Sequence, residues 1–505
     1  MISKLFRLFA VVLLVGASAL ALTSLSAQKI SADTLQLREL IVELKQSHRY
    51  TALALELESI SKKRFVAAAQ ITPLLLDLLN DGDGPVQEKA ALALAKTGDL
   101  SLAPALIEFL RFSFSPLLGE ALETLTGQEF GAEARLWFEW MWANSIKPFE
   151  GFLNWKIELY MRLVPGLSAY FYPGIRHARE IELDKIVWGG VPPRGIPALN
   201  NPQFVTPEAA GYLHNDDIVF GVEVNGDVRA YPQRVADWHE LINDVVGNRP
   251  VVLSYCPLCG SAVLYDREVE GKIYTFHTSG LLYQSNKLMA DDQTKSLWPN
   301  LLGRPVVGRL SGRNIKLKRY PLTQTTWGEW KRRHPTTRLL ADKQPGFFSS
   351  YEYHEPYEVY RVTRENMVPV SRRDDRLPPK EWVLGINLNG RAKAYPLKAL
   401  EEKGVLNDSL AGTNLVIIAE RLIGGSSCWF CAGVARAYVR SSHNFTRLDS
   451  DRLRDESGNV WLLLEDSLVN VRSGEKLTRL DGQVTYWFAW YAFHPHTELY
   501  HDGDR

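Results

Sequence analysis

The spacing of apolar residues divides the chain into a helical part and a strand-rich part. From residue 32 to residue 145 apolar positions recur at helical spacing, separated by short turns such as residues 81–85, Asp-Gly-Asp-Gly-Pro. Beyond residue 196 the chain instead contains short runs in which apolar and polar residues alternate, which is typical of strands. We therefore expect an α+β multidomain protein, with an N-terminal all-α region followed by a mainly β module.

The helical region resembles HEAT-like repeats. Pro85 begins an alanine-rich helix that runs to Lys96, and a second helix follows through Leu102, Leu106 and Leu110. Stacked helical pairs of this kind bind protein partners, but stacking alone also accounts for the apolar pattern. The region thus predicts either a protein-binding arm or a helical domain that only packs on its neighbour.

The strand-rich part contains one sequence pattern twice. Residues 220–232 match residues 384–396 at an offset of 164, and each segment has an Asn-Gly pair between alternating apolar residues, which indicates a type I′ hairpin. Asn243-Asp244 recurs at the same offset, and the Trp-x-x-Trp pattern at Trp327 recurs 160 residues later. We infer an internal duplication and expect the two halves to form an intramolecular pseudo-dimer.

The N-terminal segment has the pattern of a secretory signal or of an uncleaved signal anchor. Lys4 and Arg7 precede an uncharged stretch from Leu8 to Gln28. This stretch has nearly the length that spans a bilayer, and its positive end stays in the cytoplasm. We therefore expect export to the periplasmic or extracellular face, with membrane contact through residues 8–28 if the segment is retained.

These patterns divide the chain into six segments. They are a signal peptide or signal anchor (1–28), a HEAT-like helical domain (32–145), an aromatic-rich connector (146–195), the first repeat half (196–342), a linker (343–380) and the second repeat half (381–500). The proline- and glycine-rich residues 189–197 mark the approach to the first half.

Composition narrows the possible functions. Of 505 residues, 46% are hydrophobic and 23% are charged, with 58 basic side chains against 58 acidic ones, as in a packed globular protein. A net charge of zero argues against nucleic-acid binding, since no basic stripe is present. The sequence has no apparent nucleotide-binding glycine loop, zinc-helix motif or serine-hydrolase order, so it does not identify an enzyme class.

The main candidates for metal binding or thiol chemistry are two cysteine pairs. Cys256 and Cys259 lie in Cys-Pro-Leu-Cys between two strand-like runs, and Cys428 and Cys431 lie in the corresponding region of the second half. Because no helix start follows Cys256, the first pair resembles a zinc-ribbon knuckle more than a thioredoxin nucleophile. Three interpretations stay open: a zinc or copper site, a structural disulfide of an exported protein, or a redox-active dithiol.

Other side chains are candidates for the same site. His239 is a candidate ligand beside the first pair, and Met289 and His277 are candidate ligands for a soft metal; a lone histidine is more often structural. A polar pocket is also expected, from a run rich in hydroxyl, amide and aromatic groups: Ser279, Tyr283, Ser285, Asn286 and Trp298. The alternative is a loop whose serine and asparagine side chains bind their own backbone.

An ordered series of motifs runs from residue 196 to residue 298, and the resemblance that they carry covers roughly residues 190 to 500. They are Ile-Pro-Ala-Leu at 196–199, Asn201-Pro202, Ala-Tyr-Pro at 230–232, Trp-His-Glu at 238–240, Asn243-Asp244, Tyr-Cys-Pro-Leu-Cys-Gly at 255–260, Ser-Gly-Leu-Leu-Tyr at 279–283, Ser285-Asn286 and Ser-Leu-Trp at 296–298. Together they resemble the uncharacterised bacterial and archaeal family named domain of unknown function 3179, a resemblance that implies no reaction. The family's Leu-Met-Tyr-Asp-Arg is Leu-Met-Ala-Asp-Asp here, at 288–292, and the second cysteine pair also departs from the family pattern. The resemblance therefore favours the first pair with His239.

Two functional hypotheses follow. In the first, an extracytoplasmic protein binds a transition metal or performs thiol chemistry at Cys256 and Cys259, and its helical region contacts a partner. In the second, the protein is a non-enzymatic binding scaffold whose cysteines form structural disulfides.

Overall fold

The structure, a computed structural model, describes residues 35–61, 71–81, 83–174, 181–345, 356–420 and 434–501. The chain divides into two compact units, Met1–Leu163 and Val164–Arg505. The first unit is helical and the second is mainly β, so the predicted α+β multidomain class is confirmed. Two predicted features lie outside the described residues: the signal or anchor segment 8–28 and the second cysteine pair, Cys428 and Cys431.

The first unit consists of short helices. They are α1 (35–46), α2 (Tyr50–Ser61), α3 (Thr72–Asp81), α4 (Gly84–Ala95), α5 (Ala103–Ser113), α6 (Pro116–Thr126), α7 (Ala134–Ala143) and α8 (Phe152–Leu163). Helix α4 begins where the sequence predicts it, because the Asp83 carboxylate accepts a hydrogen bond from the Val86 amide at 3.2 Å and Pro85 occupies the first turn. Within the described part of the chain no helix is both long and apolar enough to cross a membrane.

The second unit begins with a short helix and the first half of the module. The elements are α9 (Ser168–Gly174), β1 (Ile186–Trp188), β2 (Leu199–Asn200), β3 (Phe204–Val205), β4 (Ile218–Val224), β5 (Asp227–Pro232), α10 (Gln233–His239), β6 (Leu241–Val246), β7 (Arg249–Cys256), β8 (Ser261–Asp266), β9 (Glu268–Val269), β10 (Lys272–Ile273), β11 (Phe276–Tyr283), β12 (Asn286–Asp291), β13 (Leu297–Pro299), β14 (Arg319–Tyr320), β15 (Leu322–Thr326), α11 (Trp327–Arg333) and β16 (Arg338–Leu340). Its sheets have the strand orders β15-β4-β5-β16-β3, β14-β8-β7-β6-β2, β1-β11-β12-β13 and β10-β9.

The second half repeats this plan in a shorter form. Helix α12 (Glu358–Val362) lies in the segment between the halves. The elements of the second half are β17 (Trp382–Leu388), β18 (Arg391–Pro396), α13 (Leu397–Lys403), β19 (Val405–Leu410), β20 (Thr413–Glu420), β21 (Val434–Val439), β22 (Phe445–Arg447), β23 (Arg452–Asp455), β24 (Val460–Leu463), β25 (Ser467–Asn470), β26 (Lys476–Thr478), β27 (Gly482–Tyr486), α14 (Trp487–Phe493) and β28 (Glu498–Leu499). The order β27-β17-β18-β28 repeats β15-β4-β5-β16, and β19-β20-β21 repeats β6-β7-β8. The duplication inferred from the sequence is therefore visible in the strand pairing.

The repeated motifs have structural roles in both halves. The Asn-Gly pairs form the predicted hairpin turns, with φ of 49° and 79° at residues 225–226 and 51° and 82° at residues 389–390. Asp244 Oδ2 accepts a hydrogen bond from the Tyr231 hydroxyl at 2.7 Å, and Asp408 Oδ2 accepts one from Tyr395 at 2.9 Å. In each half the tyrosine of the Ala-Tyr-Pro motif thus links the first hairpin to the strand that carries the Asn-Asp motif, which gives both motifs a structural role.

The two halves contact each other reciprocally. Strand β27 of the second half packs on β8 of the first, and β15 of the first half packs on β21 of the second. The Gln483 amide donates to the Ala262 carbonyl at 3.2 Å on one side, and Arg479 Nη1 donates to the Thr323 hydroxyl at 3.0 Å on the other. This reciprocity is the arrangement expected of an intramolecular pseudo-dimer.

Candidate functional site

The first cysteine pair lies where two central strands of a sheet meet. Cys256 ends β7, residues 257–259 form a single 3₁₀ turn, and Ser261 opens β8 and pairs with Cys256. The sequence predicted a tight connection between strands, and the structure confirms it. Both side chains are free thiols, their sulfurs are 3.2 Å apart, and their residues are 1% and 0% exposed.

A hairpin tip from the neighbouring sheet lies against Cys259. Asn286 Nδ2 donates to the Cys259 sulfur at 3.3 Å, and the Cys259 thiol is 3.4 Å from the Ser285 carbonyl oxygen. The two-residue turn has φ of 53° at Gln284 and 57° at Ser285, a conformation that costs energy for residues other than glycine. Gln284 is held by two hydrogen bonds with Ser371. A strained turn is therefore fixed in the position that brings polar groups to a thiol.

A buried ion pair lies on the Cys256 side. Lys287, next along β12, is 4% exposed, and Glu240, at the end of α10, is 7% exposed. Lys287 Nζ donates to the carbonyl oxygens of Glu240 and Tyr255 at 2.6 and 2.5 Å, and it lies 3.5 Å from the Glu240 carboxylate. Burial lowers the pKa of Lys287, while the charges of Glu240 and Cys256 raise it.

The two thiols differ in acidity. Burial opposes ionisation of both thiols, and the charge of Glu240 also opposes that of Cys256, but the hydrogen bond between the two thiols and the charge of Lys287 lower the pKa of Cys256 below the ordinary thiol value. Burial, together with the hydrogen bond between the two thiols and the charge of an ionised Cys256, raises the pKa of Cys259 well above that value. The pair therefore ionises first at Cys256.

Helix α12 packs over this loop through polar contacts. The Tyr360 hydroxyl donates to the Leu258 carbonyl at 2.7 Å, and the Tyr357 hydroxyl donates to Glu240 Oε1 at 2.8 Å. Arg361 forms a buried ion pair with Asp237 at 2.5 Å. These contacts cover the Cys-Pro-Leu-Cys turn with side chains from the segment between the two halves.

At two described positions that correspond to this site, the second half has different residues. The counterpart of Cys256 is Glu420, which ends β20 and pairs with Val434 at the start of β21. The counterpart of Glu240 is Gly404: each follows the helix, has positive φ (55° and 66°) and accepts a hydrogen bond through its carbonyl from the next sheet. Glutamate thus occupies in the first half a strained backbone position where the copy has glycine, a deviation of the kind found at functional sites.

Several residues predicted for the site have structural partners elsewhere. His277 Nε2 lies 2.8 Å from the Tyr170 hydroxyl, and the Ser279 hydroxyl donates to the Leu288 carbonyl at 2.5 Å. Met289 and Trp298 pack in one hydrophobic core cluster, where the Trp298 indole donates to Asp291 at 3.0 Å. Tyr283 is buried at the end of β11, with its ring 5.9 Å from that of Phe493. Of the predicted pocket residues, Ser285 and Asn286 are the ones that contact the thiols.

His239 is buried, and its orientation is defined. Its Nδ1 lies 2.7 Å from the Pro197 carbonyl oxygen, so Nδ1 carries the proton and donates it. Burial lowers the pKa of His239 to about 4, against the opposing effect of this hydrogen bond. Such a backbone bond is also how proteins orient a histidine that binds a metal through its other nitrogen.

The arrangement of the described side chains bears on metal ligation. Within the described ranges no group of three or more His, Cys, Asp and Glu residues is arranged to hold a metal ion. In addition, two thiolates on one tetrahedral zinc are roughly 3.8 Å apart, given Zn–S bonds of about 2.3 Å, whereas the Cys256 and Cys259 sulfurs are at 3.2 Å. The first pair therefore has the geometry of a hydrogen-bonded dithiol.

Sequence reasoning missed Glu240, Lys287, Tyr357 and Tyr360. They come from three separate elements and reach the thiols only through the fold. The signal available was the repeat itself, because comparison at an offset of 164 places a charged residue, Glu240, where the other half has the glycine that usually ends a helix.

Comparison with known proteins agrees with the motif order. The family model described as "Protein of unknown function (DUF3179)" matches residues 193–497, more than half of the chain. No curated protein and no solved structure gives a significant match. The match includes the thiol turn, the hairpin tip and the second half of the module up to residue 497. The chain therefore belongs to the DUF3179 family.

Proposed function

We propose that the first half of the module carries a redox-active dithiol, with Cys256 as the attacking thiolate and Cys259 as the resolving thiol. The observation that carries this proposal is the pair of unbonded sulfurs at 3.2 Å, one of them beside a buried lysine. A cation close to a thiol favours the thiolate, which is the reactive form. The raised pKa of Cys259 keeps the second thiol protonated until it is needed.

The reaction is a thiol–disulfide exchange. The Cys256 thiolate attacks one sulfur of an external disulfide, the external S–S bond breaks, and one thiolate leaves. Cys259 then passes its proton to a leaving thiolate and attacks the Cys256 sulfur, which releases the second external thiol. The external disulfide is reduced by two electrons, and the protein dithiol becomes the Cys256–Cys259 disulfide.

The burial of the site supports a small reactant. Both cysteines are almost inaccessible, and α12 covers the turn between them. A protein disulfide on a folded surface would need to displace that helix, whereas a small aliphatic disulfide needs only a local opening. We therefore assign the reactant to the class of low-molecular-weight disulfides.

A transition-metal site is the second candidate. The observation that favours it is the hydrogen bond from His239 Nδ1 to the Pro197 carbonyl, because such a bond is also made by histidines that bind zinc or copper. Cys256 and Cys259 would be the other ligands, with Cys428 and Cys431 as secondary ones. Metal analysis of protein purified without added metal distinguishes this candidate from the dithiol.

Single-cysteine variants test the dithiol proposal. Full-length Cys259→Ser, reduced and then mixed with hydroxyethyl disulfide, should accumulate a mixed disulfide on Cys256, because no resolving thiol remains. Cys256→Ser should react far more slowly, since Cys259 has a raised pKa. Intact-mass and peptide mass spectrometry identify the adduct. Equal labelling of both variants, or no adduct in either, would contradict the assigned roles.

The cellular location and a partner are further parts of the proposal. Lys4, Arg7 and the uncharged stretch that follows support export, with thiol chemistry on the far side of the membrane. A reporter enzyme fused after residue 34, active only outside the cytoplasm, tests this directly. That the helical region binds a protein partner stays a prediction.

A further inference from the structure

Strand β19 forms an open sheet edge in the second half, whereas its counterpart in the first half, β6, is covered by a further strand. Strand β2 pairs with β6 in parallel, with Leu199 opposite Ile242 and Asn200 opposite Asn243. The Asn201 amide donates to the Asn243 carbonyl at 2.9 Å. Among the strands that the structure describes, none pairs with the corresponding side of β19. The described part of the second half therefore lacks the strand that completes this sheet in the first.

The difference is visible in the burial of the two strands. Residues 241–244 of β6 are at most 5% exposed, whereas their counterparts in β19, residues 405–408, are all partly exposed. In the first half Leu199 and Ile242 belong to one buried core cluster. In the second half Leu406, the counterpart of Ile242, packs on the equivalent cluster but is only partly buried. The missing strand thus leaves an apolar core side chain incompletely covered.

The main chain of β19 presents hydrogen-bonding groups at this edge. The Ala419 amide donates to the Gly404 carbonyl at 2.9 Å, and hydrogen-bonded pairs alternate from there along β19 and β20. The amide and carbonyl of Asn407 therefore point away from β20. The next outward amide, that of Ser409, is already bonded to the Asp408 carboxylate at 2.8 Å. Asn407 is thus the position at which an added strand would bind, since unpaired edge groups are a template for another strand.

The side chain of Asn407 indicates what such a strand should carry. In the first half Asn243 Nδ2 donates both to the Phe276 carbonyl and to Asn200 Oδ1 of β2, each at 2.9 Å. Asn407 Nδ2 donates in the same way to the Phe445 carbonyl at 2.9 Å, and the described residues supply no acceptor in the place of Asn200. The second proton of this amide group is therefore available to an acceptor on an added strand.

The segment that would supply the missing strand has another role. The repeat offset of 164 places residues 360–366 where the first half has residues 196–202. This segment begins in α12, where the Tyr360 hydroxyl donates to the Leu258 carbonyl of the thiol turn. The open position also lies toward the turn from β19 into β20, at which Leu410 pairs with Thr413, whereas Glu420 lies at the other end of β20. The described chain therefore leaves this edge without a strand of its own.

We propose that β19 binds an extended segment of a partner protein as an added parallel strand. The segment carries an apolar residue that covers Leu406, followed by a residue whose side-chain oxygen accepts from Asn407. Main-chain bonds to the edge supply affinity, and these two side chains supply specificity. A second copy of this chain offers no such segment from β2, because its own Leu199 and Asn200 are already paired with β6. The surface is independent of the proposed thiol chemistry, since it uses neither cysteine pair.

Hydrogen exchange of the full-length chain tests the open edge. Mass spectrometry with fragmentation compares the Asn407 amide with the Asn243 amide, and the first should exchange at least roughly tenfold faster because it has no strand partner. A synthetic peptide with the sequence of residues 195–203, which contains β2, should then slow exchange at Asn407 and leave Asn243 unchanged. Slow exchange at Asn407 in the free protein would show that the edge is already covered and would overturn the proposal. No protection by millimolar peptide would also overturn it.

Modified peptides make this test specific without altering the protein. N-methylation at Asn201 removes the amide proton that β2 donates to its neighbour, so this peptide should give no protection at Asn407. The matched control is N-methylation at Asn200, whose main chain faces away from the paired strand and which should still protect. A peptide with Asn200→Ala lacks the side-chain acceptor and should bind several-fold more weakly. Equal protection by the two N-methylated peptides would overturn the proposal, because the peptide then does not bind as a strand.

Discussion

Glu420 occupies in the second half the strand position that Cys256 occupies in the first: each is the last residue of its strand and pairs with the first residue of the next. The same backbone framework therefore presents a thiol in one copy and a carboxylate in the other. Around Cys256 the first half adds Glu240 and Lys287, whereas the second half has Gly404 at the position of Glu240. The duplication has kept the fold and changed the chemistry at one end of it.

The charge of Lys287 should contribute to the acidity of Cys256. Because a nearby cation lowers the thiol pKa, replacing Lys287 by Met should raise it, so that alkylation of Cys256 at pH 7 slows by roughly tenfold per pKa unit. Lys287→Arg, which keeps the charge, should retain more of the rate. The measurement is the iodoacetamide rate at Cys256 against pH. An unchanged pH midpoint in Lys287→Met, with native circular dichroism, would contradict the role given to Lys287.

Helix α12 should control access rather than ionisation. Tyr360→Phe removes the hydrogen bond to the Leu258 carbonyl, at a cost of about 1–2 kcal/mol of unfolding free energy. Alkylation of Cys256 should become faster while its pH midpoint stays the same, which separates this variant from Lys287→Met. Tyr395→Phe, which removes the hydroxyl that donates to Asp408 at 2.9 Å in the second half, serves as the control. A slower rate in Tyr360→Phe would exclude α12 as a cover.

Two equivalent glycines, Gly221 and Gly385, pack closely on tryptophan rings in the cores of the two halves. A Cβ on Gly221 would lie 2.3 Å from the Trp330 ring, and one on Gly385 would lie 2.2 Å from the Trp490 ring. Gly221→Ala and Gly385→Ala should each lower the unfolding free energy by about 1–3 kcal/mol, because overpacking displaces the tryptophan. Gly211→Ala, where a Cβ would meet nothing within 4 Å, should be close to neutral. Denaturant unfolding measures all three; equal effects would contradict the close packing.

The module should become less stable in acid because His239 is buried in its neutral form. Burial lowers the pKa of His239 to about 4, so between pH 6.5 and 4 the unfolded chain binds a proton that the folded chain does not. Stability therefore falls as pH drops through this window and levels off below pH 4. The measurement is the free energy of unfolding in urea at pH 7 and at pH 4.5. The decrease between these two pH values should be smaller in His239→Gln than in the wild type, by up to roughly 2 kcal/mol. If the free energy of unfolding changes equally with pH in both proteins, His239 is not buried in its neutral form.

The sequence allowed much of the fold to be predicted, because its signals are local. Asn225-Gly226 and Asn389-Gly390 specify turns by themselves, and their shared offset revealed the duplication. The thiol environment was not predictable in this way. Lys287 and Tyr360 reach the cysteine turn from elements 32 and 102 residues away from their partners, so nothing in their own neighbourhoods marks them.

The predicted polar pocket also shows what the sequence could not specify. Ser279 and Ser285 belong to one polar run, yet Ser279 bonds the backbone of the adjacent strand while Ser285 lies beside Cys259. The difference arises from the turn at Gln284-Ser285, whose positive φ values are not suggested by its residue types. Sequence identified the segment, and the backbone geometry selected which of its members contact the thiols.

The measurement that tests the central claim most directly is a redox titration of the Cys256–Cys259 pair. Full-length protein is equilibrated in glutathione and dithiothreitol buffers of graded potential, quenched with an alkylating reagent and mapped by peptide mass spectrometry. We predict that the pair interconverts between dithiol and disulfide as a two-electron couple with one midpoint, and that Cys256→Ser abolishes the transition. A pair that stays fully reduced or fully oxidised throughout, or that copurifies with stoichiometric zinc or copper, would contradict the account.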